Sequence, residues 1–206
     1  MIELPIDELG PAYSFCDPHG GGTELKKVAS RAAIVTVRAD PIGRIFVMQA
    51  WAGRISTGDL METIYQVSER FRVKTFGVEA NALQSLFVDA IARDVKLRDR
   101  KLPLVPVMQP THRTKPDRVR STLQPLLGAG RLFLLAGDKG MEELRHEIAT
   151  HPMNPRADMV DALASACRLV PPPKARRDYD AEREAKLRYL RSTGAPRSVI
   201  QEAARA

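Results

Sequence analysis

Tyr13-Ser14-Phe15-Cys16-Asp17-Pro18-His19-Gly20-Gly21-Gly22 is a short apolar run that ends on one aspartate and breaks at once into proline and glycine. Such a run reads as a buried strand that delivers Asp17 to a sheet edge, where a backbone free of side chains lets a ligand come close. Asp17 also fits an ordinary turn aspartate before Pro18. One carboxylate therefore decides nothing. A second acid closes a later strand-like run, Phe76-Gly77-Val78-Glu79, and a third group, Asp158 and Asp161, stands at the start of an apolar helix. Three acids on three separate elements are the raw material of a metal site.

Outward from that stretch, the period of the apolar residues sets the elements. Ala32 to Val37 and Arg44 to Trp51 are β-rich runs joined by the turn residues Asp40-Pro41-Ile42-Gly43, so they form a hairpin. From Thr57 the period changes. Leu60, Ile64, Val67 and Phe71 mark an amphipathic helix that Ser56 or Thr57 can cap. Then come a strand at Lys74 to Glu79, a helix at Ala82 to Lys96 with Leu83, Leu86, Phe87, Ala90 and Ile91 as its stripe, and a short strand at Leu102 to Met108. A helix at Pro116 to Leu127, a strand at Arg131 to Leu135 and helices at Lys139 to Thr150 and Asp158 to Leu169 complete the core. Three strands followed by alternating helix and strand imply an α/β fold, its mixed sheet antiparallel at the start, parallel afterwards and flanked by helices.

Residues 1–12 read as a short acidic leader, 13–170 as one domain, and 171–206 as a basic tail or surface helices behind Pro171-Pro172-Pro173, which stops the last core helix. The chain has 206 residues, a formal net charge of +7 and 44% hydrophobic residues, enough for a real core and a balance that favours a polyanionic partner. Cys16 and Cys167 lie in apolar segments without zinc spacing and read as reduced core residues, which fits a reducing cytosol. No apolar run approaches the roughly 20 residues of a membrane helix, and no signal peptide opens the chain, so a soluble intracellular protein is expected. Polar 24–30 reads as a loop.

The glycine run after Asp17 lacks the Gly-Lys-Ser/Thr ending of a phosphate-binding loop, so no ATPase motif is present, and His19 reads as a loop residue rather than a ligand. Glu79 can equally cap the next helix, although Asn81 and Gln84 add polar groups beside it. Asp158 can be a helix cap. Asp161 cannot, and it stands in a helix that is otherwise apolar nearly all round, where an unpaired charge costs several kcal/mol. Arg113, Lys115 and Arg118 gather at a helix N-terminus, a place suited to phosphate, although a solvated charged face explains them as well.

Phe15-Cys16-Asp17-Pro18 with its glycines, Gly77-Val78-Glu79-Ala80-Asn81 with Gln84, Lys115 with Arg118, and Asp158-Met159-Val160-Asp161-Ala162-Leu163, in that order, resemble the nuclease domain of the large terminase subunit of tailed bacteriophages and prophages. More distantly the set resembles RuvC-type Holliday junction resolvases, and both groups share the ribonuclease H-like fold with a mixed five- to six-stranded sheet. The resemblance implies an endonuclease that cuts double-stranded DNA during viral genome packaging, with two divalent ions, Mg2+ or Mn2+, held by Asp17, Glu79, Asp158 and Asp161. It implies that Lys115, with Arg118, meets DNA phosphate, and Arg113 of the same basic cluster is expected to join them. It also implies that the partners include a packaging ATPase domain or subunit, a small terminase and a portal, in the cytoplasm of a bacterial host. Terminases often carry two adjacent aspartates where this chain has Ala157 before Asp158. That departure leaves open whether Asp158 or Asp161 is the main ligand. It also keeps alive a catalytically silent DNA-binding or docking domain of a packaging motor, and a junction resolvase is the alternative enzyme reading.

Overall fold

A computed structural model describes residues 9–18, 31–80, 84–98, 101–109, 112, 114–153, 157–173, 187–193, 196 and 199, without the side chains of 84–87 and 97–98. The 24–30 loop, the glycine run 20–22 with His19, Asn81, Arg113 and the side chains of Leu83, Gln84, Leu86 and Phe87 lie outside what is described. The chain divides into two compact units, Met1–Pro172 and Pro173–Ala206. Within the second unit, 187–192 is helical.

The first unit is built on strands β1 (Ala12–Asp17), β2 (Ala32–Ala39), β3 (Ile45–Gly53), β4 (Val73–Glu79), β5 (Leu104–Val107) and β6 (Leu132–Leu134). Among the described residues these form one six-stranded sheet in the order β5-β4-β1-β2-β3-β6. β2 is antiparallel to β1 and β3, while β4, β5 and β6 run parallel to their neighbours. This is the mixed sheet that the strand order predicts. β1 begins at Ala12, and the Gly10 N–H donates to Ala39 O at 2.8 Å, so the end of the expected leader is tied to the sheet.

Among the described residues, five helices cover the sheet: α1 (Thr57–Phe71), α2 (Gln84–Arg98), α3 (Lys115–Gly128), α4 (Lys139–Thr150) and α5 (Asp158–Leu169). Strand side chains alternate between faces. Ala12 and Cys16 of β1 join Leu60, Ile64 and Val67 of α1 and Ile91 of α2 in one core layer. Tyr13 and Phe15 face the other way, into a layer with Val119 and Leu123 of α3, Met141 and Leu144 of α4, and Met159 to Cys167 of α5. The same alternation turns Asp17 toward the α5 face. Both cysteines are buried thiols, and burial alone pushes Cys167 up to about 12.

α5 is apolar nearly all round because most of it is covered: Met159 through Cys167 are buried. It crosses β1, β2, β3 and β4 and is flanked by α3 and α4. Gly77 makes this close packing possible. A Cβ there would stand 2.8 Å from Phe15 Cδ2 and 2.9 Å from Leu169 Cδ1, inside van der Waals contact.

Candidate metal centre

Two parallel neighbours bring the first two acids together. Cys16 of β1 is in register with Val78 of β4, so the next residue on each strand, Asp17 and Glu79, leaves the sheet at the same carboxyl-terminal edge. Open α/β sheets bind ligands at that edge. Gly77 faces the α5 layer, and Glu79, two residues on, shares its face. α5 then supplies the third acid from its first turn. Asp17, Glu79 and Asp161 each offer a carboxylate oxygen, and these oxygens all lie within 4.8 Å of one another.

All three are buried, Asp17 and Glu79 at 8% exposure and Asp161 at 2%. Charges this close in a dry site repel, and the site is poised accordingly. Burial pushes Asp17 up to about 7, against the pull of the Lys115 ammonium and with the help of the charges on Glu79 and Asp161. Glu79 is raised as well, by burial and by Asp161, although Lys115, Arg118 and a hydrogen bond with Asp17 hold it back. Crowded carboxylates of this kind favour the neutral form of one another until a cation meets them.

Two cations from α3 answer these charges. Thr114 caps that helix: its hydroxyl oxygen accepts from the Asp117 N–H at 3.3 Å and its O–H donates to Asp117 Oδ2 at 2.6 Å, with Pro116 in the first turn. Lys115 and Arg118, three residues apart, share the face turned to the acids. Lys115 Nζ lies 3.3 Å from Asp17 Oδ2 and 3.3 Å from Asp161 Oδ2, and Arg118 Nη2 is 3.3 Å from Asp161 Oδ2. Burial alone would lower the lysine, but the carboxylates of Asp17, Asp161 and Asp158 outweigh it and hold it above its ordinary range.

The donor set suits a hard divalent cation. It consists of carboxylate oxygens, which Mg2+ and Mn2+ prefer. Asp161 Oδ1 is moreover buried without a hydrogen-bond partner, and an orphaned charged oxygen is costly unless something electropositive meets it.

Asp158 is placed differently. It lies outside the group of three, and its Oδ2 faces Arg31 Nε at 3.5 Å, close enough for charge attraction and too far for a hydrogen bond. The Arg31 guanidinium also meets Glu143 Oε1 at 2.5 Å and Glu147 Oε1 at 3.0 Å, both on α4. Reading the sequence for acids at strand ends missed this second cluster. The signal for it was a glutamate beside the apolar stripe of Met141, Leu144 and Ile148, the same anomaly that singles out Asp161.

The chain matches no protein-family model and no curated protein sequence. Solved structures do resemble it. The nuclease domain of the large terminase subunit gp2 of bacterial virus Sf6, as a lysine-to-alanine mutant with manganese and beta-thujaplicinol, superposes with a TM-score of 0.50 and 11% identity over 80% of this chain and 90% of that one. The unmutated Sf6 nuclease domain gives 0.48 with 12% identity over 79% and 90%. Thermus thermophilus RuvC in complex with a Holliday junction substrate gives 0.42 with 13% identity over 76% and 90%. With its three antiparallel opening strands, parallel additions and helices on both faces, the chain has the ribonuclease H-like fold of the Sf6 nuclease domain.

Proposed function

We propose that this chain is a divalent-metal-dependent DNA endonuclease of the kind that cuts duplex DNA during viral genome packaging. The observation that carries the reading is the convergence of Asp17, Glu79 and Asp161, from two adjacent parallel strands and one buried helix, at the carboxyl edge of the sheet. Fold likeness alone would not carry it, because one fold hosts many functions. The Sf6 nuclease domain, which shares the fold, is known with manganese.

Two Mg2+ or Mn2+ ions at the three acids would supply a water of lowered pKa and positive charge at the scissile phosphate. The chain's own residues do the rest. The carboxylates fix the place where the phosphodiester must sit. Lys115, with a side chain 40% exposed, is close enough to the acids to meet a phosphate oxygen beside them, and Arg118 holds the same Asp161 oxygen that Lys115 meets. We assign Asp158 a supporting place through Arg31, and we include Arg113 among the DNA contacts on its position two residues before Lys115. A formal charge of +7 suits a phosphate-rich partner. Among the described residues no helix is long and apolar enough to cross a membrane. The chain would work beside a packaging ATPase domain or subunit, a small terminase and a portal, in the cytoplasm of a bacterial host.

The test is cleavage of supercoiled plasmid by purified protein with Mn2+ or Mg2+, wild type against Asp17→Asn. Nicked and linear products from wild type, absent with EDTA and in the variant, are expected. Intact plasmid with every divalent ion, alongside retained DNA affinity, would instead indicate a silent DNA-binding domain. Cutting confined to four-way junctions would indicate a resolvase.

A further inference from the structure

We infer that Glu147 of α4 is the N-terminal cap of α5 and thereby a positioning residue for the metal centre, an inference that rests on the function proposed above. α5 carries Asp161 in its first turn, so whatever fixes that turn fixes the third acid. The helix has no cap of its own. Ala157 occupies the N-cap position with φ −134° and ψ 28°, and no side-chain hydrogen bond closes the helix there. A side chain reaches back to the free N–H groups of a first turn from an extended N-cap residue, which Ala157 is not. Its Cβ carries no acceptor in any case.

The acceptor comes from the neighbouring helix. Glu147 Oε2 accepts the Val160 N–H at 3.0 Å, a buried bond between residues 13 apart in sequence. Val160 is the residue before Asp161. Glu147 is 1% exposed, so its charge needs a partner, and Arg31 Nη2 donates to its other oxygen at 3.0 Å. The guanidinium's second arm holds Glu143 on the next turn of α4 and its Nε faces Asp158, the first residue of α5. Arg31 itself directly precedes β2, whose Ala33 is in register with Asp17. One carboxylate thus links the strand beside the first acid to the helix that carries the third. An anionic acceptor at this helix end is also favoured by the helix dipole. Residues that orient metal ligands without touching the metal typically change affinity 10- to 100-fold when removed.

The experiment compares wild type, Glu147→Gln, Glu147→Ala and Leu144→Ala, all as the full chain. Leu144 is a fully buried α4 residue of the apolar core, so its truncation reports what mere loosening of α4 does. Two readouts are taken: amide hydrogen exchange in the metal-free protein, and Mn2+ affinity by calorimetry on protein shown to be folded. The inference expects faster exchange at Met159, Val160 and Asp161 in both Glu147 variants relative to the rest of α5. It expects Mn2+ binding about tenfold weaker or worse in Glu147→Ala, with Glu147→Gln intermediate because an amide oxygen still accepts. Leu144→Ala should leave Mn2+ affinity within about threefold of wild type, well short of such losses. Unchanged exchange in that first turn overturns the cap, and a Leu144→Ala loss of Mn2+ affinity equal to that of Glu147→Ala overturns the positioning role. A wild-type protein that takes no Mn2+ removes the nuclease reading and the metal-positioning role with it, while the exchange data still decide whether Glu147 caps α5.

Discussion

Asp161 is held in the buried, largely apolar stretch Met159–Cys167 of α5, with one carboxylate oxygen facing two cations and the other without a hydrogen-bond partner. Asp158, one turn earlier, faces an arginine already engaged by two glutamates. The two aspartates should therefore behave differently. Asp161→Asn is expected to weaken Mn2+ binding by more than about 100-fold and to abolish cleavage. Asp158→Asn is expected to cost less than about tenfold, the lower end of what supporting residues contribute. Calorimetry on the two folded variants decides between them. From the sequence this choice stays open, because residues three apart share a helix face and nothing local tells which one meets the sheet edge. Asp17, Glu79 and the anomaly of a charge in an apolar helix are legible, since each breaks an apolar run. Arg31 is not, because its partners lie more than 100 residues away on α4.

At the scale of elements, close packing and turn geometry make two checkable demands. Gly140 opens α4 against β3, and a Cβ there would fall 2.0 Å from the Ala50 carbonyl oxygen, a backbone atom that cannot swing away. Gly140→Ala should therefore destabilise by about 1–3 kcal/mol. Gly128 ends α3 with nothing within 4 Å, so Gly128→Ala should stabilise by about 0.5–1 kcal/mol. Urea unfolding of the pair checks both signs. The β2–β3 hairpin turns on Asp40, whose Oδ1 accepts the N–H groups of Ile42 and Arg44 and whose Oδ2 pairs with Arg44 Nε at 2.5 Å. Burial would raise the Asp40 pKa, but these partners win and hold it below its ordinary 3.8. A folded pKa below the unfolded one favours folding fully above about pH 4, and that contribution fades as pH falls through the folded value. Asp40→Asn should accordingly cost about 1.5–3 kcal/mol at pH 7 and less near pH 3. Element order was legible because the apolar period switches between two and 3.6 residues along the chain, and the Asp-Pro-Ile-Gly turn announces its hairpin. The pairing of β6 with β3 was not, since a three-residue strand carries no mark of its neighbour.

For the whole molecule, charge and site make one claim together. A chain of net charge +7 with cations beside an acidic cluster should bind duplex DNA chiefly through phosphates. Its affinity should then fall linearly on a log–log plot against salt, losing roughly 10- to 1000-fold between about 50 and 200 mM if a few phosphates are contacted. Fluorescence anisotropy with a labelled duplex measures that slope, and a flat one would contradict phosphate-led binding. The central claim, that Asp17, Glu79 and Asp161 form a divalent metal centre, is tested most directly by an anomalous difference map from crystals soaked in Mn2+. The account predicts a peak within coordinating distance of all three carboxylates, with Lys115 displaced from between Asp17 and Asp161. An empty map with the lysine still bridging those two aspartates would contradict it.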